Sequence, residues 1–202
     1  ARIKPTKGGA SRLMVWMAGD EGAEVERARG GDQDAFRGLV HRHSPAVFRL
    51  AYRMTRNEQD AEDVVQETFL KAYRRLGQFE SRSLFGTWVH RIAANCAYDL
   101  LRRRARLKEE PEDDETAPPL PATDPPADRL VFSGEVRLRL AAALARLSPA
   151  ERSAFVLRHH EGMSIQEIGV SLGLETSAVK QSIFRAVRKM RTALGTLEGA
   201  PS

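Results

Sequence analysis

The sequence SIQEIGVSLGLETSAVKQSIFRAVRKMR, residues 164–191, decides the fold of this chain. Its pattern predicts a helix, a short turn and a second helix. Ser164 with Glu167 three residues later is typical of a capping box, which begins a helix. Gly173 ends this helix, and Thr176 is a good N-cap for the next. Two helices joined by so short a turn form a helix-turn-helix, in which the second helix enters the major groove of DNA.

The second of these helices has an apolar side and a polar, basic side when it is wound at about 100° per residue. The apolar side consists of Val179, Ile183, Ala186, Val187 and Met190. The opposite side consists of Ser177, Gln181, Phe184, Arg185 and Arg188. An ordinary amphipathic hairpin with a solvated basic face has the same pattern, so the rest of the chain has to decide between the two.

The charge of the chain is unevenly distributed around its net value of +5. Residues 108–128 contain eight acidic residues and one basic residue. The remainder contains 31 basic and 19 acidic residues, a net charge of +12. A cationic folded part suits a polyanionic partner such as nucleic acid, although charge also serves solubility.

Several features bound the class of protein. Cys96 is the only cysteine, which excludes an intrachain disulfide and an all-cysteine zinc site, and its apolar surroundings predict a buried residue. No apolar run approaches the ~20 residues that span a bilayer, and residues 13–18 are too few for a signal-peptide core. We therefore expect a soluble, cytoplasmic protein. Residues 1–20 are predicted to form a disordered tail, with Met14 or Met17 as the candidate natural start.

The periodicity predicts an all-α protein of two small helical domains. The first domain is expected over residues 21–107 and the second over 130–197. Residues 108–129 hold six of the ten prolines among acidic residues. Such a segment buries too little apolar surface to offset its ordering entropy, so it is predicted to be a flexible linker.

The first domain is predicted to contain four helical segments. Asp32 begins the first, and Ser44 with Pro45 is the N-cap and N1 pair of the next. Asn57 begins a helix whose first turn is acidic, as the helix dipole favours, and whose apolar stripe includes Tyr73. A long helix follows over residues 84–106 and ends in arginines.

Both domains and their order resemble the extracytoplasmic-function (ECF) sigma factors, a sigma-70-type family of initiation factors for bacterial RNA polymerase. The motifs are GDQDAFRGLVHRH (31–43), DAEDVVQETFLKAYRRLGQF (60–79), FGTWVHRIAANCAYDLLRR (85–103) and LSPAERSAFVLRHHEGMSIQEIGVSLG (147–173). D-A-E-D-V-V-Q-E-x-F followed by F-x-x-W-V-x-R-I-A-x-N is highly specific in combination. The resemblance covers roughly residues 25–195 without the linker, and it implies a sigma domain 2 bundle and a sigma domain 4 helix-turn-helix.

The resemblance implies that an acidic helix of the first domain docks on a basic coiled coil in the β′ subunit of the core polymerase, whose β and β′ subunits are the expected partners. The matching residues are Asp60, Glu62, Asp63, Gln66 and Glu67. A helix start favoured by the dipole explains Asp60 and Asp63 but not Gln66 and Glu67. An anti-sigma factor is the further partner that the resemblance implies, although the chain shows no docking motif for one.

The resemblance also implies that the loop 77–83 and the helix after it read the melted −10 element, where a base is flipped into a pocket. The candidate residues are Lys71, Phe79, Arg82, Arg91, Asn95, Arg102 and Arg103. Arg104 and Arg106 extend the basic helix end, which a frayed, solvated terminus also explains. Trp88 is expected in the core.

For the duplex −35 element the candidate residues are Ser177, Lys180, Gln181, Arg185 and Arg188. The family pattern V-K-S-R-L-x-R-A is VKQSIFRA here, so Ser182 stands in place of the usual arginine. Phe184 either contacts a thymine methyl or packs against its own domain, and we prefer packing. The acidic linker is expected to pass through the active-site cleft of the polymerase.

Two other functions remain open at the level of sequence. One is a helix-turn-helix regulator that binds DNA alone, with the first domain sensing a ligand or dimerising. The other is an enzyme that uses the pairs His41 and His43 or His159 and His160. Residues one or two apart do not share a helix face, so we expect no metal site, no cofactor and no enzymatic activity.

Overall fold

The computed structural model describes residues 21–80, 84–109 and 142–194. These residues form helices and turns without a β-strand, which confirms the all-α prediction. The tail 1–20, the candidate Arg82 and all of the linker beyond residue 109 lie outside the described residues, so the predicted domain limits remain predictions. No helix within the described part is long and apolar enough to span a membrane.

The first domain is a bundle of four helices and a short 3₁₀ turn. Helix α1 covers residues 21–29, α2 is Gln33–Thr55 and α3 is Glu58–Arg74. The 3₁₀ turn Leu76–Gln78 follows, and α4 is Phe85–Glu109. Helices α2, α3 and α4 pack against one another in all three pairings, so each face that enters the core is covered.

Helix α2 continues through Pro45, where the sequence predicted a new helix start. Proline removes one backbone donor from a helix, and the Ser44 hydroxyl adds a bond by donating to the Val40 carbonyl at 2.7 Å. Leu39 and Val47 on either side of the proline are fully buried. Burial of both halves in one core therefore prevails over the local break signal.

The second domain contains the predicted helix-turn-helix. Residues 142–145 are helical, here α5, and α6 is Pro149–His159. Helix α7 is Ile165–Leu172 and α8 is Thr176–Leu194. Helix α8 packs on both α6 and α7, so its apolar side is held from two directions.

Four predicted helix starts are confirmed, and each has a side-chain cap. Asp32 and Asn57 cap α2 and α3 with their side chains, and Ser148 and Ser164 form capping boxes for α6 and α7. At α8 the prediction is off by one residue. Thr176 is already helical, and the Glu175 carbonyl accepts the first helical bond from Val179 at 3.0 Å.

The two domains share a continuous apolar core. Buried residues of α1–α4 belong to the same cluster as Leu157 of α6, Ile168 of α7 and Val179 of α8. Cys96 lies in this cluster, as predicted, and burial raises the pKa of its thiol. A smaller cluster around Leu147 and Met190 closes the far side of the second domain.

Candidate nucleic-acid and protein interfaces

A tight turn sets the position of α8. Gly173 adopts φ +65°, the left-handed conformation that ends α7, and the Leu174 amide donates to the Gly169 carbonyl at 2.9 Å. A Cβ atom at residue 169 would lie 2.8 Å from the Leu174 carbonyl oxygen. Glycine at this position therefore permits the close approach of α7 to the turn that directs α8.

The outer face of α8 is exposed along the helix. We call it the basic face, and it consists of Ser177, Lys180, Gln181, Phe184, Arg185 and Arg188. The Phe184 side chain is 67% exposed, so the preference for packing against its own domain is wrong. The ring lies three residues after Gln181 and four before Arg188, a spacing that places it on the polar side of the helix.

An ion pair between a buried carboxylate and a half-exposed lysine anchors α8 from behind. Lys189 Nζ lies 2.6 Å from Glu151 Oε2, and it also donates to the Arg146 carbonyl at 3.3 Å. Burial opposes ionisation of Glu151, but hydrogen bonds from Lys189 and the Ser148 amide prevail and hold the pKa of the carboxyl below its usual range. Glu151 thus caps α6 and fixes α8 at once, a double role that sequence spacing did not reveal.

The outer face of α3 is acidic. Glu62, Asp63, Gln66 and Glu67 are exposed, and we call these four residues the acidic face. Asp60, predicted to belong to the same surface, is 2% exposed and pairs with Arg104 near the end of α4. Burial raises the pKa of the Asp60 carboxyl despite the opposing effect of Arg104. Asp60 lies in the first turn of α3 and faces α4. The prediction that Asp60 contacts the polymerase at the surface is therefore corrected to a buried contact with α4.

An apolar groove lies beside the acidic face. Leu70 and Tyr73 of α3 are 52% and 49% exposed, although Tyr73 was expected in the buried stripe. The Tyr73 ring packs edge-on against Phe36 of α2 at 5.0 Å. The groove between α2 and α3, about 640 Å³ in volume, is lined on its apolar side by Phe36, Val40, Phe69, Leu70 and Tyr73. The spacing of Gln66, Leu70 and Tyr73 is the sequence signal that places them on one face.

The candidate −10 residues divide into buried and accessible groups. Phe79 is 5% exposed and packs against Phe85 and Trp88 at 5.8 and 5.1 Å, and the Arg29 guanidinium donates to its carbonyl. Stacking of a base on Phe79 is therefore inconsistent with this structure, because the ring belongs to the core. Trp88 is partly buried against the same core, as expected.

The accessible candidates lie along α4 and the end of α3. Arg103 is exposed, and Arg102 lies over the Tyr98 ring at 5.6 Å. Asn95 and Lys71 are half-buried, and Lys71 lies 3.4 Å from Glu67. The structure thus brings a predicted −10 residue into contact with a predicted docking residue, one helical turn apart.

Ion pairs join the two domains. Arg53 of α2 lies 2.9 Å from Glu161, and His90 of α4 lies 3.5 Å from the other oxygen of the same carboxyl. The His90 hydrogen bond and the Arg53 charge hold the pKa of Glu161 below its usual range. Arg91 of α4 lies 3.5 Å from Glu167 of α7. Sequence reasoning missed these pairs because the partners are separated by 71 or more positions and by the linker.

Both domains match known protein families. The family model Sigma-70 region 2 matches residues 39–107, and Sigma-70, region 4 matches residues 137–190. CarQ of Myxococcus xanthus, an RNA polymerase sigma factor, is 38% identical over 86% of this chain and 97% of its own length. The ECF sigma factor SigW of Bacillus subtilis is 30% identical over 86% of this chain and 96% of its own length. The chain belongs to the ECF sigma factors.

The sigma factor is also similar to a longer relative and to a solved structure. It spans 64% of the length of the ECF sigma factor SigE of Mycolicibacterium smegmatis, at 38% identity over 81% of this chain. Among solved structures it is similar to CnrH in complex with the cytosolic domain of CnrY, with a TM-score of 0.56, 31% identity, and coverage of 86% of this chain and 96% of CnrH. The two matched regions on one chain thus belong to a sigma factor of the ECF type.

His43 and His159, one from each histidine pair, contact side chains of their own domains. His43 contacts Glu21 of α1 at 2.7 Å, and His159 packs against the Phe155 ring at 4.7 Å. Within the described residues no group of three histidine, cysteine or acidic side chains converges on a metal position. His43 therefore joins α1 to α2, which is a structural task.

Proposed function

We propose that this sigma factor binds core RNA polymerase through α3 and directs initiation by reading the −35 element with α8 and the melted −10 element with α4. The observation that carries the proposal is the pair of exposed faces of opposite charge on separate domains. The acidic face of α3 suits a basic protein surface such as that of a polymerase subunit. The basic face of α8 suits a polyanion such as promoter DNA. In this role the chain is a non-enzymatic initiation factor that works in the cytoplasm.

The docking surface combines charge with apolar contact. The acidic face supplies carboxylates that pair with the cations of a basic coiled coil in β′, which favours fast association and a single register. The groove beside it supplies Leu70 and Tyr73, whose burial contributes affinity. Asp60 acts from beneath, because its pairing with Arg104 fixes α3 against α4.

The basic face is suited to the edges of a −35 duplex. Arg185 is our candidate for guanine, since a bidentate arginine contact discriminates by about 1–3 kcal/mol. Ser177, Lys180 and Gln181 lie closer to the start of α8, where recognition helices contact bases and phosphates. Phe184 faces the same way and is our candidate for a thymine methyl.

The residues that we propose bind the −10 element are the candidates that remain accessible. Arg102 and Arg103 are exposed and are our candidates for backbone phosphates, while Arg91 and Asn95 lie further back along α4. Lys71 and Arg82 complete the proposed set. Phe79 shapes the wall behind the site from within the core, so we exclude it as a stacking platform.

Two further parts of the proposal concern the linker and control. We expect residues 108–129 to pass through the active-site cleft, where their carboxylates resemble nucleic acid in a positive channel. Replacing them with serine is expected to reduce full-length RNA while sparing −35 binding. We also expect an anti-sigma partner, since the similar CnrH was solved in complex with another protein, the cytosolic domain of CnrY.

Run-off transcription tests the proposal directly. Purified core polymerase is supplied with fragmented genomic DNA, with and without the chain, and new start sites that share a −35 and −10 pair are expected. Leu70→Ser should reduce transcripts at limiting sigma factor. Leu107→Ser is the matched control, because Leu107 is 66% exposed at the far end of α4. No start sites with a folded chain and a matching core enzyme would refute the proposal and favour a regulator that binds DNA alone.

A further inference from the structure

Helix α1 is attached to the bundle of the first domain through apolar and polar contacts. It precedes residues 39–107, the part that matches Sigma-70 region 2, yet Val25 and Ala28 are buried in the common core. At the start of α1, Glu21 Oε1 lies 2.7 Å from His43 Nε2 of α2. A helix of nine residues is marginal by itself in water, so these contacts hold it on the bundle.

The last residue of α1, Arg29, reaches the segment that leads to α4. Its Nη2 donates to the Phe79 carbonyl oxygen, 50 positions along the chain, and its Nη1 donates to Glu26 Oε1 at 2.8 Å. An acid of the same helix thus orients the guanidinium toward its distant acceptor. The side chain of Arg29 is only 32% exposed, and both of its terminal nitrogens are bonded within the protein.

Phe79 is held by its side chain and by both polar groups of its backbone. Its amide donates to the Leu76 carbonyl at 3.1 Å, and its own carbonyl accepts from Arg29. Its ring packs against Phe85 and Trp88, at the beginning of α4, at 5.8 and 5.1 Å. A carbonyl in so buried a residue needs a partner, and a charged donor is the stronger kind. Arg29 therefore stabilises the position of Phe79 from which the ring supports the start of α4.

The start of α4 leads directly to proposed −10 residues. Trp88 lies three residues before Arg91 and seven before Asn95, and residues at these spacings share one side of a helix. Residues 88–95 contain no proline, so a shift at the start of α4 is passed along the helix. Side chains that recognise a ligand have to be held within about 0.5 Å of their productive positions. Recognition by α4 therefore depends on how firmly its first turn is held.

We propose that Arg29 is a positioning residue for recognition of the −10 element, which acts through the Phe79 carbonyl and ring on the start of α4. This inference rests on the proposed −10 role of α4. Arg29 acts without contacting DNA, because its terminal nitrogens bond to Phe79 and Glu26. The acidic face of α3 and the basic face of α8 do not include it, so its loss affects one of the three proposed contacts.

The test uses the holoenzyme formed from the full chain and core polymerase. The probe is a promoter fragment found by the run-off experiment, with mismatched strands across the −10 element so that this element is already melted. Fluorescence anisotropy gives the affinity for the fragment at several salt concentrations. Arg29→Ala removes the hydrogen bond to Phe79. Arg27→Ala is the matched control, because Arg27 is an exposed arginine of the same helix.

We expect Arg29→Ala to weaken binding of the melted fragment by about tenfold, a factor that one charge-assisted hydrogen bond can account for. Arg27→Ala should bind the fragment as the wild type does. Arg29→Lys keeps a charged donor for the Phe79 carbonyl, so part of the lost affinity should return. The affinities for core polymerase and for a −35 duplex should stay the same in all three variants, whereas general unfolding of the first domain would lower the affinity for core polymerase.

Glu26→Ala distinguishes positioning from a direct phosphate contact by the sign of its effect. If Arg29 is a positioning residue, loss of Glu26 leaves the guanidinium less well oriented, and the affinity for the melted fragment falls. If Arg29 binds a phosphate, removal of a competing carboxylate raises that affinity. The salt dependence gives a second distinction, since loss of a phosphate contact in Arg29→Ala lowers the slope of log affinity against log salt by about 1. Loss of a positioning contact leaves this slope unchanged.

The outcomes separate this inference from the proposed function. Equal binding of the melted fragment by Arg29→Ala and the wild type would overturn the inference, as would tighter binding by Glu26→Ala. If Arg29→Ala does not fold, Glu26→Ala decides alone, because it retains Arg29 and changes one exposed acid. If the wild-type holoenzyme itself does not bind the melted fragment, the proposed −10 role of α4 is wrong, whatever the variants do.

Discussion

Helices α3 and α8 are similar in length, 17 and 19 residues, yet their exposed faces differ in chemistry. The face of α3 joins carboxylates to an apolar groove that contains Leu70 and Tyr73. The face of α8 joins cations, one amide and one hydroxyl to a single ring, Phe184. Protein interfaces gain from buried aromatic and aliphatic area, whereas DNA interfaces are polar and positively charged. This difference is the reason we propose that α3 meets a protein and α8 meets DNA.

Beneath each face lies a buried carboxylate paired with a cation. Asp60 under α3 pairs with Arg104, and Glu151 behind α8 pairs with Lys189. The two acids respond oppositely to their surroundings, since the pKa of Asp60 is raised and that of Glu151 is lowered. The two faces are thus supported by buried acids of opposite pKa shift.

The largest effect is expected from reversing charge on the acidic face. Glu62→Lys with Asp63→Lys places cations against a basic coiled coil, and repulsion of this kind costs several kcal/mol, so core affinity should fall by more than about 100-fold. Native co-purification or anisotropy with core polymerase measures the loss. Affinity for a −35 duplex should not fall, and Glu26→Lys on α1 is the control for a single charge reversal elsewhere. Unchanged core affinity would move the docking site away from α3.

On the basic face, Arg185→Ala should weaken binding of the full chain to a −35 duplex by about 5- to 150-fold, the equivalent of about 1–3 kcal/mol. Core affinity should stay the same, which is the reverse of the α3 result. Arg27→Ala, an exposed arginine of α1, controls for loss of one positive charge. Equal losses for the two variants would mean that α8 contributes general charge rather than base contacts.

A backbone change should damage one face and spare the other. Gly169→Ala brings a methyl group within 2.8 Å of the Leu174 carbonyl, and the forced shift should destabilise the second domain by about 1–3 kcal/mol. Hydrogen exchange should show faster opening of α7 and α8 with α3 little changed. Gly22→Ala is the control, since a Cβ there meets nothing within 4 Å. If Gly169→Ala leaves exchange in α7 and α8 as slow as in the wild type, the turn does not need the close approach.

The smallest effect is expected from the two buried acids as a function of pH. The depressed pKa of Glu151 means that its contribution to stability is present above the unfolded carboxyl pKa of about 4.3 and is lost as the pH falls through the folded value. The raised pKa of Asp60 gives the opposite sign, a contribution that is present at low pH and lost as the pH rises.

Melting temperatures between about pH 3 and 6 test these signs. Glu151→Gln should flatten the acid-side decrease in stability relative to the wild type, whereas Asp60→Asn should steepen it. If the melting temperature changes equally with pH in both variants, Glu151 and Asp60 do not differ in the way that their pKa shifts imply.

The sequence predicted most of the framework because its local signals agree with the tertiary structure. The capping boxes at Ser148 and Ser164 and the two sides of α8 are confirmed. Pro45 shows where local signals are insufficient, since a core on both sides keeps the helix intact.

Residue roles were less predictable, because burial depends on partners far along the chain. Asp60 and Phe79 have residue types that suit an interface, but Arg104 and Trp88 enclose them. Tyr73 was expected in the buried stripe and Phe184 was expected to pack against its own domain, yet both are exposed. Leu70, which had no predicted role, is exposed as well. The contact of Glu161 with Arg53 and His90 bridges the two domains, which no periodicity can reveal.

The pairing of Arg104 with Asp60 has a mechanical consequence. Arg104 lies five residues before the end of α4 at Glu109, so the exit of the polypeptide from the first domain is attached to the first turn of α3. A helix transmits displacement over so short a distance because sharp bends need a proline or a similar defect, and residues 104–109 contain none. A force applied at residue 109 is therefore transmitted through Arg104 and Asp60 to α3. Movement of the second domain thus acts on the helix that we propose binds polymerase.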